Sequence, residues 1–425
     1  MKNNCIKLTS FQAMAKPMGS VCNLNCTYCY YLEKEKLYTK SATYRMNETG
    51  LETFVIQYIE AQDAPTVTFV WQGGEPTLKG IEFYRKAVEF QKKHSLGRKI
   101  ENVLQTNGTL LNDEWCVFLK EHDFLVGISI DGPREIHDQY RLTKAGTSSF
   151  DKVIKGIEFL KKYSIEFNTL TVVTRTSTAY PLEIYRFLKS IGSTYIQFIP
   201  IVERKAKNNT EEGLSLVLPD YTSEALVTEW SVKPDDYGKF LVTIFDEWVR
   251  NDVGRYFVQM FDVTLANWIE ENSGLCVFNE TCGNALVVEH NGDVYSCDHF
   301  VYPKHLLGNI MGTPLKLLAN SPRQYIFGRQ KRESLPDYCM RCEYRFACHG
   351  ECPKYRFDTT PDGDPGLNYL CKAYRMFFAH VHPYMQYMSD EIANRKPPSN
   401  VMGWARGVSP EKLSKRLSKK SEDEA

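Results

Sequence analysis

The sequence predicts an α/β fold built on parallel strands, followed by a smaller cysteine-rich region. Three observations lead there. Segments of strand composition alternate with segments of helical apolar spacing from about residue 47 to residue 199. Three thiols sit close together at Cys22, Cys26 and Cys29. A second group of cysteines runs from Cys276 to Cys371, and only Cys5 and Cys116 lie outside the two groups.

The elements follow in order. Leu51, Phe54, Val55, Tyr58 and Ile59 repeat at helical spacing over 47–62, behind a cap at Asn47. Residues 66–71 are β-branched and aromatic, a strand that ends in Gln72-Gly73-Gly74-Glu75-Pro76. Residues 80–94 read as a helix, 100–105 as a strand with Asn107-Gly108 as its turn, and 112–122 as a helix. Residues 124–130 form a strand ending in Asp131-Gly132-Pro133. A helix at 149–163, a strand at 167–173, a helix at 180–191 and a strand at 195–199 complete the alternation. With one strand expected just before Cys22, six strand–helix units are present. They argue for a parallel sheet with helices outside it, and the periodicity fits an open sheet as well as a partial barrel. In such folds the chemistry gathers at the carboxyl ends of strands. The thiol triplet, the Gly73-Gly74-Glu75 segment and Ser129-Ile130-Asp131 all lie at such ends.

Residues 203–233 are polar and irregular and read as a surface insertion or linker. Two helices follow near 234–251 and 256–272, whose aromatics (Phe240, Phe245, Trp248, Phe257, Phe261, Trp268) read as packing rather than as ligand contacts. Four regions result: a strand–helix domain with linker over 1–233, a helical connector over 234–272, a cysteine-rich domain over 273–390 and a disordered tail over 391–425.

The 425 residues carry zero formal net charge, so no global field favours nucleic acid or membrane surfaces. Met1 to Lys16 holds no apolar core of signal-peptide length, and nothing approaches the ~20 apolar residues that span a bilayer. The protein therefore reads as cytoplasmic. Thiols stay reduced there, so clustered cysteines mean metal or catalysis before disulfides.

Three thiolates at this spacing can hold three corners of an iron–sulfur cube and leave the fourth iron open to a small molecule. In the second region Cys339, Cys342, Cys348 and Cys352 are spaced C-x2-C-x5-C-x3-C, and with Cys276, Cys282, Cys297 and Cys371 they make two four-cysteine sites. Taken alone, that region fits zinc as well as iron–sulfur.

The C-x3-C-x2-C spacing, with Tyr28 before the last cysteine, resembles the radical S-adenosylmethionine (SAM) enzymes. The second region resembles the SPASM twin-cluster domain. Over about residues 10–390 the chain is similar to the anaerobic sulfatase-maturating enzymes. Segments 22–31, 72–77, 105–110, 129–133, 292–298 and 367–371 carry that likeness. The resemblance implies a partial (β/α)6 barrel of the radical SAM type, followed by a SPASM domain binding two auxiliary iron–sulfur clusters. It implies three [4Fe-4S] clusters and SAM as cofactors, with Cys22, Cys26 and Cys29 on the SAM-binding cluster. It pairs Cys276, Cys282, Cys297 and Cys352 on one auxiliary cluster, and Cys339, Cys342, Cys348 and Cys371 on the other. Tyr28, Gly73, Gly74, Ser129, Arg141 and Val202 would surround SAM, Asp298 would be the catalytic base, and Tyr31 and Gln72 would orient substrate or base. Glu75 reads as a loop stabiliser or a partner of the SAM ammonium, and His299, Cys5 and Cys116 as structural.

The function so implied is oxidation of a Cys or Ser of a sulfatase to Cα-formylglycine. An unfolded sulfatase polypeptide would be the substrate and a ferredoxin or flavodoxin the low-potential donor. The alternative within the superfamily is another peptide modification, a thioether or a crosslink, by enzymes that often carry a further peptide-binding domain ahead of the triplet. Only 21 residues precede Cys22, too few for that domain. A metal-binding structural protein or electron carrier is the alternative outside enzymes, and it has no use for a strand-end Gly-Gly pair.

Overall fold

The alternation read from the sequence is realised in the computed structural model, which describes residues 11–38, 45–207, 210, 213–221, 223–271 and 274–407. Its elements begin with β1 (Gln12–Lys16), α1 (Glu48–Ala61), β2 (Thr66–Trp71), α2 (Ile81–His94), β3 (Lys99–Thr106), α3 (Asp113–Glu121), β4 (Leu125–Ser129), α4 (Arg134–His137), α5 (Phe150–Lys162), β5 (Phe167–Val173), α6 (Pro181–Ser190) and β6 (Tyr195–Pro200). Each expected strand is present, including the one before Cys22. Then come β7 (Arg204–Ala206), β8 (Ala225–Val227), α7 (Pro234–Asn251), β9 (Phe257–Val258), α8 (Gln259–Trp268), β10 (Ala285–Glu289), β11 (Asp293–Tyr295) and β12 (Leu306–Asn309). The chain closes with α9 (Leu315–Ala319), α10 (Pro322–Glu333), α11 (Asp337–Met340), α12 (Arg345–Cys348), β13 (Asp358–Thr359), β14 (Pro365–Leu367), α13 (Cys371–Ala393) and α14 (Val401–Gly407).

The chain divides into two units. The first comprises the described parts of residues 1–170, 202–229 and 280–334. Its strands lie in the order β12-β11-β10-β1-β2-β3-β4-β5. β1 to β5 pair in parallel, β1 pairs in parallel with β10 on its other side, and β10 to β12 form an antiparallel meander. The five-residue register from Gln12↔Ala285 to Lys16↔Glu289 draws the chain around Cys297 to the end of β1. The helices cover the sheet for the reasons their sequences give. On α1 Leu51, Phe54, Val55, Tyr58 and Ile59 are all buried, and the Asn47 side chain caps the first turn by accepting from the Gly50 N–H. On β2 every second side chain (Val67, Phe69, Trp71) is buried, and Phe69 packs edge-on against Tyr58.

The stretch expected to be an irregular linker is partly ordered in this unit. β7 and β8 pair antiparallel, and the Glu33 carboxylate accepts from the Ser215 and Leu216 N–H groups and the Ser215 hydroxyl. Leu214, Leu216 and Val217 are buried, so local apolar contacts outweigh the polar composition.

The second unit comprises the described parts of residues 171–201, 230–279 and 335–425. α7 and α13 build its core, where Phe245 and Trp248 both pack on Phe261, and Phe261 stacks on Phe377. β6 pairs in parallel with β9. The tail is ordered further than composition suggested. α13 runs to Ala393 and α14 covers Val401–Gly407, where Trp404 stacks on Tyr387. Residues 408–425 lie outside the described ones, as does Cys5. Among the described residues no helix is long and apolar enough to cross a membrane, and every described cysteine is free.

Candidate active site

The thiol triplet follows β1 in the first unit and is tethered by backbone bonds. The Asn25 N–H donates to the Leu142 carbonyl, the Thr27 N–H to the Tyr140 carbonyl and the Cys29 N–H to the Cys26 carbonyl. Asn107, just past the end of β3, donates to Asn23 Oδ1 at 2.8 Å and approaches Cys22 Sγ at 3.8 Å. Burial pushes the Cys22 thiol up to about 11 and the Cys26 thiol up to about 12, and it raises Cys29 as well. Burial thus favours the protonated thiols, and a bound metal would displace their protons.

The two glycines after β2 sit against this same loop. The Gly74 N–H donates to the Gly19 carbonyl at 2.7 Å and the Glu75 N–H to the Val21 carbonyl at 2.9 Å. A Cβ at Gly74 would fall 2.2 Å from the Val21 oxygen, and Gly73 has φ +135°. Glycine is therefore required here by the cysteine loop's own backbone. Glu75 is fully buried. Its carboxylate accepts from the Thr77 N–H and hydroxyl, the Thr106 hydroxyl and the Asn107 N–H, which ties the end of β2 to the end of β3. Burial lifts its pKa in spite of those donors. Of the two roles read from the sequence, loop stabilisation is the one this geometry carries.

Tyr28, Asp131 and Arg141 form a buried chain. The Tyr28 hydroxyl donates to Asp131 Oδ2 at 2.6 Å and accepts from Arg141 Nη1 at 2.9 Å. Arg141 Nε is buried with no hydrogen-bond partner, and so is Asn168 Oδ1 on β5. Such orphaned polar atoms call for a ligand with matching groups. Ser129 accepts from Gln105 Nε2 at 3.1 Å, and Gln105 and Asn168 approach each other over Gly127. Val202 is buried and apolar. Gln72 is half-buried, and its N–H donates to the Ala15 carbonyl, which sets it beside β1.

Asp298 lies in a short helical turn directly after Cys297. Tyr30, the residue after Cys29, donates its hydroxyl to Asp298 Oδ2 at 2.6 Å, and the Lys16 ammonium is paired with Oδ1. Burial works against the Asp298 charge. The Lys16 ammonium, the adjacent His299 and the two hydrogen bonds prevail and hold the carboxyl down at about 2. Lys16 is almost fully buried, with its ammonium 3.5 Å above the centre of the Tyr31 ring. The Tyr31 hydroxyl donates to the buried Glu289. His299 packs edge-on against Tyr30.

Lys16 and Tyr30 are missing from the expectations above. The signal was a lone lysine closing the otherwise uncharged strand Gln12–Lys16, which buries a charge only where a partner waits.

In the second unit Cys339, Cys342, Cys348 and Cys371 line one cavity with Tyr344 and Tyr374. Burial raises Cys348 to about 12 and Cys371 to about 11. Cys276 and Cys352 also belong to the second unit, Cys282 and Cys297 to the first. Cys116 is buried on α3, as expected.

The radical SAM superfamily model matches residues 17–188, and the SPASM iron–sulfur cluster-binding model matches residues 276–343. These matches define a radical SAM enzyme with an added cluster-binding region, which works with SAM and iron–sulfur clusters. The chain is 51% identical to a serine-type anaerobic sulfatase-maturating enzyme of Bacteroides thetaiotaomicron, over 92% of this chain and 94% of that protein. It is 36% identical to a cysteine-type enzyme of Clostridium perfringens, over 89% and 98%. A solved structure of native anSMEcpe with bound AdoMet and the Cp18Cys peptide superposes with a TM-score of 0.77 at 35% identity, covering 90% of this chain and 99% of that one. The chain belongs to the anaerobic sulfatase-maturating enzymes.

Proposed function

We propose that this chain oxidises one cysteine or serine of a sulfatase polypeptide at Cβ to Cα-formylglycine. The observation that carries the reading is the bond from Tyr30 to Asp298. It links the residue after the last triplet cysteine to a carboxylate able to take a proton from substrate. Cys22, Cys26 and Cys29 would hold a [4Fe-4S] cluster, which with SAM would supply the radical chemistry needed at Cβ. The protein does the rest. Arg141 Nε offers a polar group to SAM, with Tyr28, Ser129, Gly73 and Gly74 around it and Val202 as an apolar wall. Asp298 accepts the proton of the thiol or hydroxyl, and Lys16 and Tyr30 keep that carboxylate ionised and aimed. Tyr31 and Gln72 line the substrate side.

Loss of a hydrogen atom, a proton and an electron takes a serine side chain directly to the aldehyde; a cysteine side chain becomes a thioaldehyde, which water converts to the aldehyde with release of hydrogen sulfide. The two auxiliary clusters, with the ligand sets given above, make three [4Fe-4S] clusters in all. Bound there, they would supply either an acceptor for that electron or the framework of the peptide site. We place the enzyme in the cytoplasm, supplied by a low-potential ferredoxin or flavodoxin and independent of nucleic acid and membrane. Zero net charge and free described cysteines support that placement.

The test is anaerobic incubation of the reconstituted protein with SAM, dithionite and a sulfatase-site peptide. A cysteine peptide should become lighter by about 18 mass units and a serine peptide by about 2, the mass balance for the aldehyde. Deoxyadenosine without either product would mean a different peptide modification.

A further inference from the structure

In the second unit a guanidinium sits among the thiols. Arg356 Nε donates to the Gly350 carbonyl at 2.9 Å, and its Nη2 donates to the carbonyls of His349 at 2.8 Å and Glu351 at 3.1 Å. Those acceptors belong to three successive residues in the left-handed region, with φ +47°, +69° and +49°. That conformation suits glycine, whereas His349 and Glu351 hold it against a steric cost. Something must therefore fix the turn. Arg356 clamps all three carbonyls, and Asn368 Nδ2 donates to Glu351 Oε2 at 2.7 Å. The site is closely fitted: a Cβ at Gly350 would fall 2.3 Å from Leu335 Cδ2 and 2.7 Å from Arg356 Nη2.

The turn runs from Cys348 to Cys352, and its Gly350 lines the same cavity as Cys339, Cys342, Cys348 and Cys371. Arg356 is bonded to the Gly350 carbonyl, which sets its guanidinium at the wall of that cavity. Nearby charge is one of the means by which a protein sets the potential of an iron–sulfur centre. One-electron reduction adds a negative charge to such a centre, so a fixed guanidinium favours its reduced state.

We propose that Arg356 is a positioning residue that raises the reduction potential of the cluster held by Cys339, Cys342, Cys348 and Cys371. It acts by locking the turn between Cys348 and Cys352 and by fixing a positive charge beside the thiolates. The proposal rests on the ligand set given under Proposed function. Arginine is specified because only a planar fork reaches all three carbonyls. Lysine keeps the charge and loses the fork.

The experiment is a redox titration, followed by electron paramagnetic resonance, of the full-length reconstituted enzyme and its Arg356→Met and Arg356→Lys variants. The signal reads only loaded clusters, so partial loading does not obscure the midpoint. Arg356→Met should lower the midpoint of one component by about 59 mV, a tenfold change in its reduction constant. Arg356→Lys should fall between that value and the parent. An unshifted midpoint in Arg356→Met overturns the proposal. If that variant holds no cluster, an unshifted midpoint in Arg356→Lys overturns it. Cys339→Ala identifies the component by abolishing it. Should the component survive that change, the ligand assignment is what fails.

Discussion

The two thiol sites held within single units differ in what surrounds them. The triplet after β1 is set among polar groups: Asn107 at Cys22, the Tyr28–Asp131–Arg141 chain, and the buried Glu75 carboxylate that pins the neighbouring loops. One polar atom there, Arg141 Nε, is buried without a partner. The four-thiol cavity is lined by Tyr344, Tyr374, Leu367 and Phe378 together with Arg345, Arg375 and Asn368. The guanidiniums there are spent on protein acceptors: Arg356 on backbone carbonyls, Arg345 on the Met340 carbonyl and Arg375 on the Tyr338 hydroxyl. One site has three thiols and hydrogen-bonding capacity left over, so it is built to receive a polar small molecule. The other has four thiols and a mostly apolar lining, which suits the complete, shielded cluster proposed for it.

The sharpest way to break that contrast is to remove one thiol from each site. Cys26→Ala and Cys371→Ala should each lower the iron content by about four of about twelve per chain. Only Cys26→Ala should abolish deoxyadenosine formation outright, and Cys371→Ala should retain a measurable rate. Equal loss of SAM cleavage in both would show that the sites are not functionally distinct. Next in size is Asp298→Asn, which removes the proposed proton acceptor. Formylglycine formation should drop by about 10²–10⁴-fold. Deoxyadenosine formation should fall much less, so the ratio of the two products is the diagnostic reading. Gly74→Ala tests whether the loop itself makes the triplet. A Cβ placed 2.2 Å from the Val21 oxygen cannot be accommodated by side-chain motion, so the variant should lose iron from the triplet selectively. Full iron loading in Gly74→Ala would mean that the two loops are not coupled.

How far the sequence foretold these sites follows the reach of each signal. Periods of 2 and 3.6 residues are local, and every strand and helix they marked up to residue 199 is present. The Asn47 cap and the buried face of α1 were equally readable. The Gly73-Gly74 pair was visible as a motif, but its constraint is a backbone contact with Ser20 and Val21, more than fifty residues earlier in the chain. The same holds for β10. It pairs in parallel with β1 across some 270 residues, and that pairing brings residues 280–334 into the first unit. Lys16 and Tyr30 escaped for this reason. Their meaning lies in Asp298, which only the β1–β10 register delivers to them. The ordered turns of α14 were hidden differently: the charged composition of the tail masked the single stacking of Trp404 on Tyr387.

The smallest expected effect concerns Lys16, and it sharpens the picture of the polar site. Asp298 stands at about 2, below the ordinary carboxylate range, because the Lys16 charge and the bonds from Lys16 and Tyr30 outweigh burial. A carboxyl depressed on folding stabilises the protein above its unfolded pKa of about 3.9 and loses that contribution as pH falls toward 2. Lys16→Met removes the cation while keeping the length and apolar stem of the side chain. Burial then acts on Asp298 with only Tyr30 and His299 against it, so its pKa must rise. The acid limb of the formylglycine rate should move to higher pH, and the onset of acid unfolding should move with it. Tyr30→Phe, which removes one neutral donor and leaves the charge in place, should move the limb in the same direction by less. If Lys16→Met leaves the acid limb where it was, the ammonium does not set the state of Asp298. Its burial beneath the Tyr31 ring would then serve packing alone.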